Sequence, residues 1–173
     1  MTIELISAIS LTIGISALCS TLEAMILSIT VAEIESLKEK NPKKGKLLEK
    51  FKLELEETSS AILSLNTIAN TLGATLVGGL AEKTFGGQEN SLLIFAIGMT
   101  LGILFFSEIL PKNLAVSYRF EMATKLIFPL AAVRWSMSPI SKICKVTVRA
   151  IVPPKDKQSE SDEQEIILLA QKG

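Results

Sequence analysis

The sequence predicts an all-α integral membrane protein, and three observations predict it. Of the 173 residues, 48% are hydrophobic and only 21% charged. The charges are unevenly placed: residues 5–22, 58–81 and 90–107 contain none. A helix rises about 1.5 Å per residue and the hydrocarbon core is about 30 Å thick, so roughly 20 such residues cross it. Basic residues also gather on alternate sides of these runs, as they do in multi-pass proteins.

The first predicted span covers residues 5–32. Its N-terminus lacks the basic residues of a cleaved signal, because no Lys or Arg precedes Lys38, so the helix is expected to stay attached. Residues 33–57 follow, with seven Lys and seven acidic side chains. Breakers at Asn41, Pro42 and Gly45 predict two polar helical pieces joined by a turn. The second span is expected at 58–81, a short loop at Gly86-Gly87, and the third span at 90–110, stopping at Pro111.

Seven Lys lie after the first span and Lys112, Arg119, Lys125, Arg134, Lys142, Lys145 and Arg149 after the third, against Lys83 alone between the second and third. This asymmetry predicts an outside N-terminus and a cytoplasmic C-terminus, in a cell (inner) membrane. Residues 126–152 are expected to form an amphipathic juxtamembrane helix, interrupted near Pro129 and Pro139. Arg134, Lys142, Lys145 and Arg149 fall within an arc of about 80° at helical spacing, with Trp135 near it, which suits an interfacial helix beside anionic headgroups. A kinked fourth span is the alternative. Residues 1–152 thus read as one transmembrane domain. Residues 153–173 read as a polar linker and the start of a cytosolic region that continues beyond Gly173.

Charge balance, 18 basic against 18 acidic, gives no field to attract nucleic acid. With no His, a zinc or iron–sulfur site is not expected, and Cys19 and Cys144 suggest no disulfide. An intramembrane enzyme is not expected either, since the only Asp residues, Asp156 and Asp162, lie in the linker and the spans contain no Lys.

Polar groups within a span are expensive and therefore functional candidates. Ser20 and Glu23 share one face of the first helix at i,i+3. Asn66 and Asn70 stack on the second at i,i+4; helix–helix hydrogen bonding is the plainer alternative for them. The third helix ends in Ser107-Glu108-Ile109-Leu110-Pro111-Lys112. Pro111 has no N–H, so the Ser107 carbonyl is expected to lose its helical partner and the helix to open there. The plainer alternative is a helix end with a Glu108–Lys112 ion pair. Every donor in the three clusters is a hard oxygen, which suits magnesium, calcium or sodium and not a soft metal.

At these residues the sequence resembles the transmembrane domain of the CorC/CNNM (DUF21, hemolysin-like) magnesium transporters. The first-helix Ser-x-x-Glu motif is matched by Ser20-Thr21-Leu22-Glu23 and the Asn-rich stretch by residues 65–71. The Gly-Glu-x-x-Pro-Lys motif is matched by residues 107–112, with Ser107 where Gly is usual. The resemblance covers residues 1 to about 152. It implies a homodimer of three-helix units, each followed by a juxtamembrane helix, with Mg2+ as the ion. The dehydrated site would comprise Ser20, Asn66, Asn70 and the Ser107 carbonyl, supported by Glu23, Glu108, Pro111 and Lys112. It also implies magnesium efflux, with sodium entry as a candidate driving reaction, and cytosolic CBS domains that bind adenine nucleotides in the longer chain. The alternative is a membrane scaffold or regulatory subunit of magnesium homeostasis without transport of its own.

Overall fold

The computed structural model describes residues 2–86 and 89–151, and all regular structure among them is helical. Three helices are long and apolar enough to cross a bilayer, over Thr2–Ser28, Leu55–Phe85 and Asn90–Ser117. Large apolar side chains such as Leu11, Leu76, Ile94 and Phe106 stand exposed along them. A water-soluble domain does not tolerate so extensive an apolar surface, whereas hydrocarbon solvates it. The chain is an all-α, multi-pass membrane protein.

The first helix, α1 (Thr2–Ser28), ends four residues before the predicted limit. The cause is local. Thr30 adopts extended backbone and caps a new helix, α2 (Val31–Lys40), its hydroxyl accepting from the Glu33 N–H while the Glu33 carboxylate accepts from the Thr30 N–H. This reciprocal arrangement satisfies two otherwise orphaned donors and fixes the break. Asn41 then caps α3 (Pro42–Leu53), with proline in its first turn. The α2–α3 hairpin closes tightly: a Cβ on Gly45 would fall 2.5 Å from Cα of Lys38. Only glycine allows the two backbones to meet there.

The second span belongs to α4 (Leu55–Phe85), which ends at Gly86 with φ +28°. The third span begins with α5 (Glu89–Gly102), passes through a π-helical segment (Ile103–Ile109), and continues as α6 (Leu110–Ser117). The predicted stop at Pro111 is therefore corrected: the helix runs seven residues past the predicted end at 110. Proline is accommodated because it falls in the first turn of α6, just after the chain has widened into the π register.

The last helix, α7 (Arg119–Ile151), runs unbroken through Pro129 and Pro139, where interruptions are predicted. The described residues up to Lys142 form one compact unit, and the end of α7 from Ile143 belongs to a second. Ala123, Ile127, Leu130 and Val133 form the buried face of α7. Arg134 corrects the expectation of a single headgroup-facing basic face. Its guanidinium pairs with Glu54 and Glu57 and lies 5.0 Å from the centre of the Phe51 ring, so it is turned inward. Trp135 is exposed. The side chains of Lys142, Lys145 and Arg149, and the predicted linker 153–173, lie outside the described residues.

Buried residues change character along α1. Leu5 packs with Val77 and Ala81 near one end. Leu22, Met25, Ile26 and Ile29 pack near the other, with Ile34, Leu48, Phe51, Ala115 and Ile127. Between these apolar clusters the buried residues of α1 include Thr12, Ser16 and Ser20. The helix is apolar at both ends and hydroxyl-lined in its middle.

Candidate cation site

The hydroxyl-lined stretch of α1 faces both other spans. Toward α4 the contact is close: a Cβ on Gly73 would overlap Oγ1 and Cγ2 of Thr12. Small residues of this kind let two membrane helices approach and place polar groups within bonding range. One turn further along, Ser16 Oγ donates to Asn66 Oδ1 at 2.9 Å. Asn70 Nδ2 donates to the same oxygen at a longer 3.4 Å. The two predicted amides are thus joined on one face of α4 and tied to α1.

Toward the third span, Ser107 is fully buried and its hydroxyl donates to the Ile13 carbonyl at 3.3 Å. The π register is seen in the Leu110 N–H donating to the Phe105 carbonyl, five residues back. Pro111 has no N–H to give either to Phe106, five residues back, or to Ser107, four back. The predicted opening of the helix is therefore a widening: the chain stays helical, and Pro111 withholds a donor from Phe106 in the π register and from Ser107 in the α register. A π segment inside an α-helix is often found at a functional site, and no sequence rule applied to these residues signalled it.

Ser20 Oγ on α1 and Asn70 Oδ1 on α4 are buried without a hydrogen-bond partner, as is Ser59 Oγ nearer the start of α4. Leaving a buried polar atom unsatisfied costs about 1–3 kcal/mol, and in hydrocarbon no water makes good the loss. Glu23, one turn beyond Ser20, does not reach inward alone. Its Oε2 lies 3.1 Å from Nζ of Lys112, which replaces the Glu108–Lys112 pair considered from the sequence. Glu108 is half-buried and forms no ion pair among the described residues. Among those residues no group of three His, Cys, Asp or Glu side chains converges. A cation bound here would meet mainly neutral oxygens, with carboxylate charge nearby.

Sequence reasoning singled out Ser20, Asn66, Asn70 and Ser107 but passed over Ser16, which is fully buried and bonded to Asn66. The signal was present: Thr12, Ser16 and Ser20 recur at i,i+4 on an otherwise apolar helix.

Outside the spans, ion pairs lock the hairpin to the rest. Arg119 Nε donates to Glu33 Oε1 and Oε2 at 2.9 and 3.0 Å. Partial burial opposes ionisation of Glu33, but hydrogen bonds from Thr30 and Arg119 outweigh it and hold the carboxyl below its ordinary value. Lys52 donates to the Ile26 and Leu27 carbonyls at the end of α1, and burial lowers its ammonium pKa.

Residues 6–173 match the family described as the cyclin M transmembrane N-terminal domain. A UPF0053 protein of Synechocystis is 26% identical over 171 residues, covering 99% of this chain and 49% of that protein. A chloroplastic DUF21 domain-containing protein of Arabidopsis thaliana is 29% identical over 132 residues, covering 76% of this chain and 20% of the relative. The metal transporter cnnm-2 of Caenorhabditis elegans is 26% identical over 132 residues, covering 74% of this chain and 16% of the relative. The chain spans about half or less of the length of these relatives.

Proposed function

The chain belongs to the cyclin M (CNNM) transmembrane-domain family, and from that premise we propose that it carries a metal ion, magnesium, across a bilayer. The name of one relative, a metal transporter, supports the general class. The observation that carries the reading is that Ser20 Oγ and Asn70 Oδ1, two of the residues singled out from the sequence, are buried without a partner in spans where an unsatisfied polar atom is costly. Joined by Asn66 Oδ1 and the carbonyl of Ser107, they make a hard-oxygen set of the kind magnesium requires, at about 2.0–2.1 Å in octahedral geometry. Water and partner oxygens would complete the six.

Glu23 and Glu108 supply negative charge that draws a dication toward the neutral ligands, and Lys112 holds Glu23 in place. Pro111 fixes the widened segment that frees the Ser107 carbonyl. The direction is efflux with sodium entry as the driving reaction, in a homodimer in the cell membrane with an outside N-terminus and a cytoplasmic C-terminus. CBS domains elsewhere in a longer chain would regulate it. The charge asymmetry along the sequence supports this orientation. The polypeptide acts as a transport domain and not as an enzyme.

The Ser16–Asn66 bond supports a second reading, in which the polar residues only hold helices together in a scaffold of magnesium homeostasis. Magnesium flux through the purified protein in liposomes separates the two. On the transport reading, Asn70→Ala and Ser20→Ala abolish flux with the fold intact. On the scaffold reading the parent protein passes no magnesium, and the same substitutions lower thermal stability.

A further inference from the structure

Granted the cation site proposed above, we infer that Ser16 is a positioning residue that sets the site's preference for magnesium over calcium. An amide oxygen has two lone pairs. At Asn66 Oδ1 one is taken by the Ser16 hydroxyl at 2.9 Å and the other by Asn70 Nδ2 at 3.4 Å. The shorter bond comes from a side chain that is fully buried on a different helix, so it fixes where the Asn66 oxygen points. The longer one is the easier to give up. A cation entering the site displaces the Asn70 N–H and takes that lone pair, while Ser16 keeps the first. The same shift frees the Asn70 amide to turn its already unpartnered Oδ1 toward the ion. Ser16 therefore never touches the cation; it holds an oxygen that does.

Fixed oxygens matter most to the smaller ion. Magnesium demands near-ideal octahedral geometry at about 2.0–2.1 Å, whereas calcium accepts six to eight ligands at about 2.3–2.6 Å in flexible arrangements. Loosening Asn66 should therefore penalise magnesium more than calcium. A side chain that merely supports packing would weaken both alike.

The test is cation-dependent thermal stabilisation of the whole chain in lipid nanodiscs, titrated separately with magnesium chloride and calcium chloride. Ser16→Ala removes one atom, so it disturbs packing little. It should weaken magnesium roughly tenfold, as loss of a group that orients a metal ligand does, and calcium by less than half of that factor. In an Asn66→Ala background, Ser16→Ala should produce no further change in either titration. Equal loss for the two ions, no loss for either, or an undiminished effect without Asn66 would overturn the role of Ser16. Failure of magnesium to stabilise the parent, or an Asn70→Ala variant that still binds it fully, would overturn the site itself and this inference with it.

Discussion

Lys112 Nζ lies 3.1 Å from Oε2 of Glu23, so the third span is tied to the first directly beside the Pro111 segment. Both groups are partly exposed, which limits the pair to about 1 kcal/mol of stability. Its larger role is to hold a carboxylate one turn from Ser20. Glu23→Lys should place two cations together, lowering the melting temperature by a few degrees and abolishing magnesium flux. Adding Lys112→Glu should restore the pairing and the melting temperature but not the flux, since an ammonium then stands on α1 one turn from the proposed ligand Ser20. Recovery of flux in the double variant would mean that only the pairing matters.

Gly73 packs where a Cβ would overlap Thr12. Gly73→Ala is expected to destabilise the chain by about 1–3 kcal/mol through overpacking. Combining it with Thr12→Ala should return only part of that stability, since the Cβ of residue 12 would still lie 2.9 Å from the added one, measured by thermal unfolding in the same detergent.

Pro111→Ala gives residue 111 an N–H and removes one reason for the π register. The expected result is an unchanged or higher melting temperature with magnesium flux reduced at least tenfold, because residue 111 can then donate to the Ser107 carbonyl that the proposed site uses. Unaltered flux would detach the widened segment from ion binding.

The Glu33–Arg119 pair predicts a pH dependence. The Glu33 carboxyl titrates below its ordinary value of 4.5 in the folded chain. It therefore stabilises the fold above the unfolded-state value, and that contribution is lost as the pH falls through the folded-state value. Because Glu33 and Arg119 remain partly exposed, the contribution is limited to about 1 kcal/mol. Arg119→Ala should lower the melting temperature at pH 7, and the gap to the parent should shrink as the pH falls below the ordinary value of 4.5 and through the lower folded-state value.

How much of this was readable beforehand depends on the range of the interaction concerned. Three charge-free runs identify three spans because the bilayer imposes length and polarity on each one separately. The early end of α1 was also local: Thr30 and Glu33 spell a capping box, masked by the apolar residues around them. Pro111 misled by the opposite route, since a proline stop assumes an α register and the chain had already left it. Arg134 looked like a headgroup ligand by its helical angle alone. Its choice of Glu54 and Glu57 depends on how α7 docks against α4, which periodicity does not contain. Ser20 and Asn70 were found from the cost of polar atoms in hydrocarbon. That Ser16 reaches across to Asn66 required the two helices to be placed side by side.

A structure determined with bound magnesium is the most direct test. The proposed site predicts one ion between the spans, with Ser20 Oγ, Asn66 Oδ1, Asn70 Oδ1 and the Ser107 carbonyl at about 2.0–2.1 Å. Density for no ion there, with those oxygens turned to neighbouring side chains or separated by packed apolar groups, would contradict it.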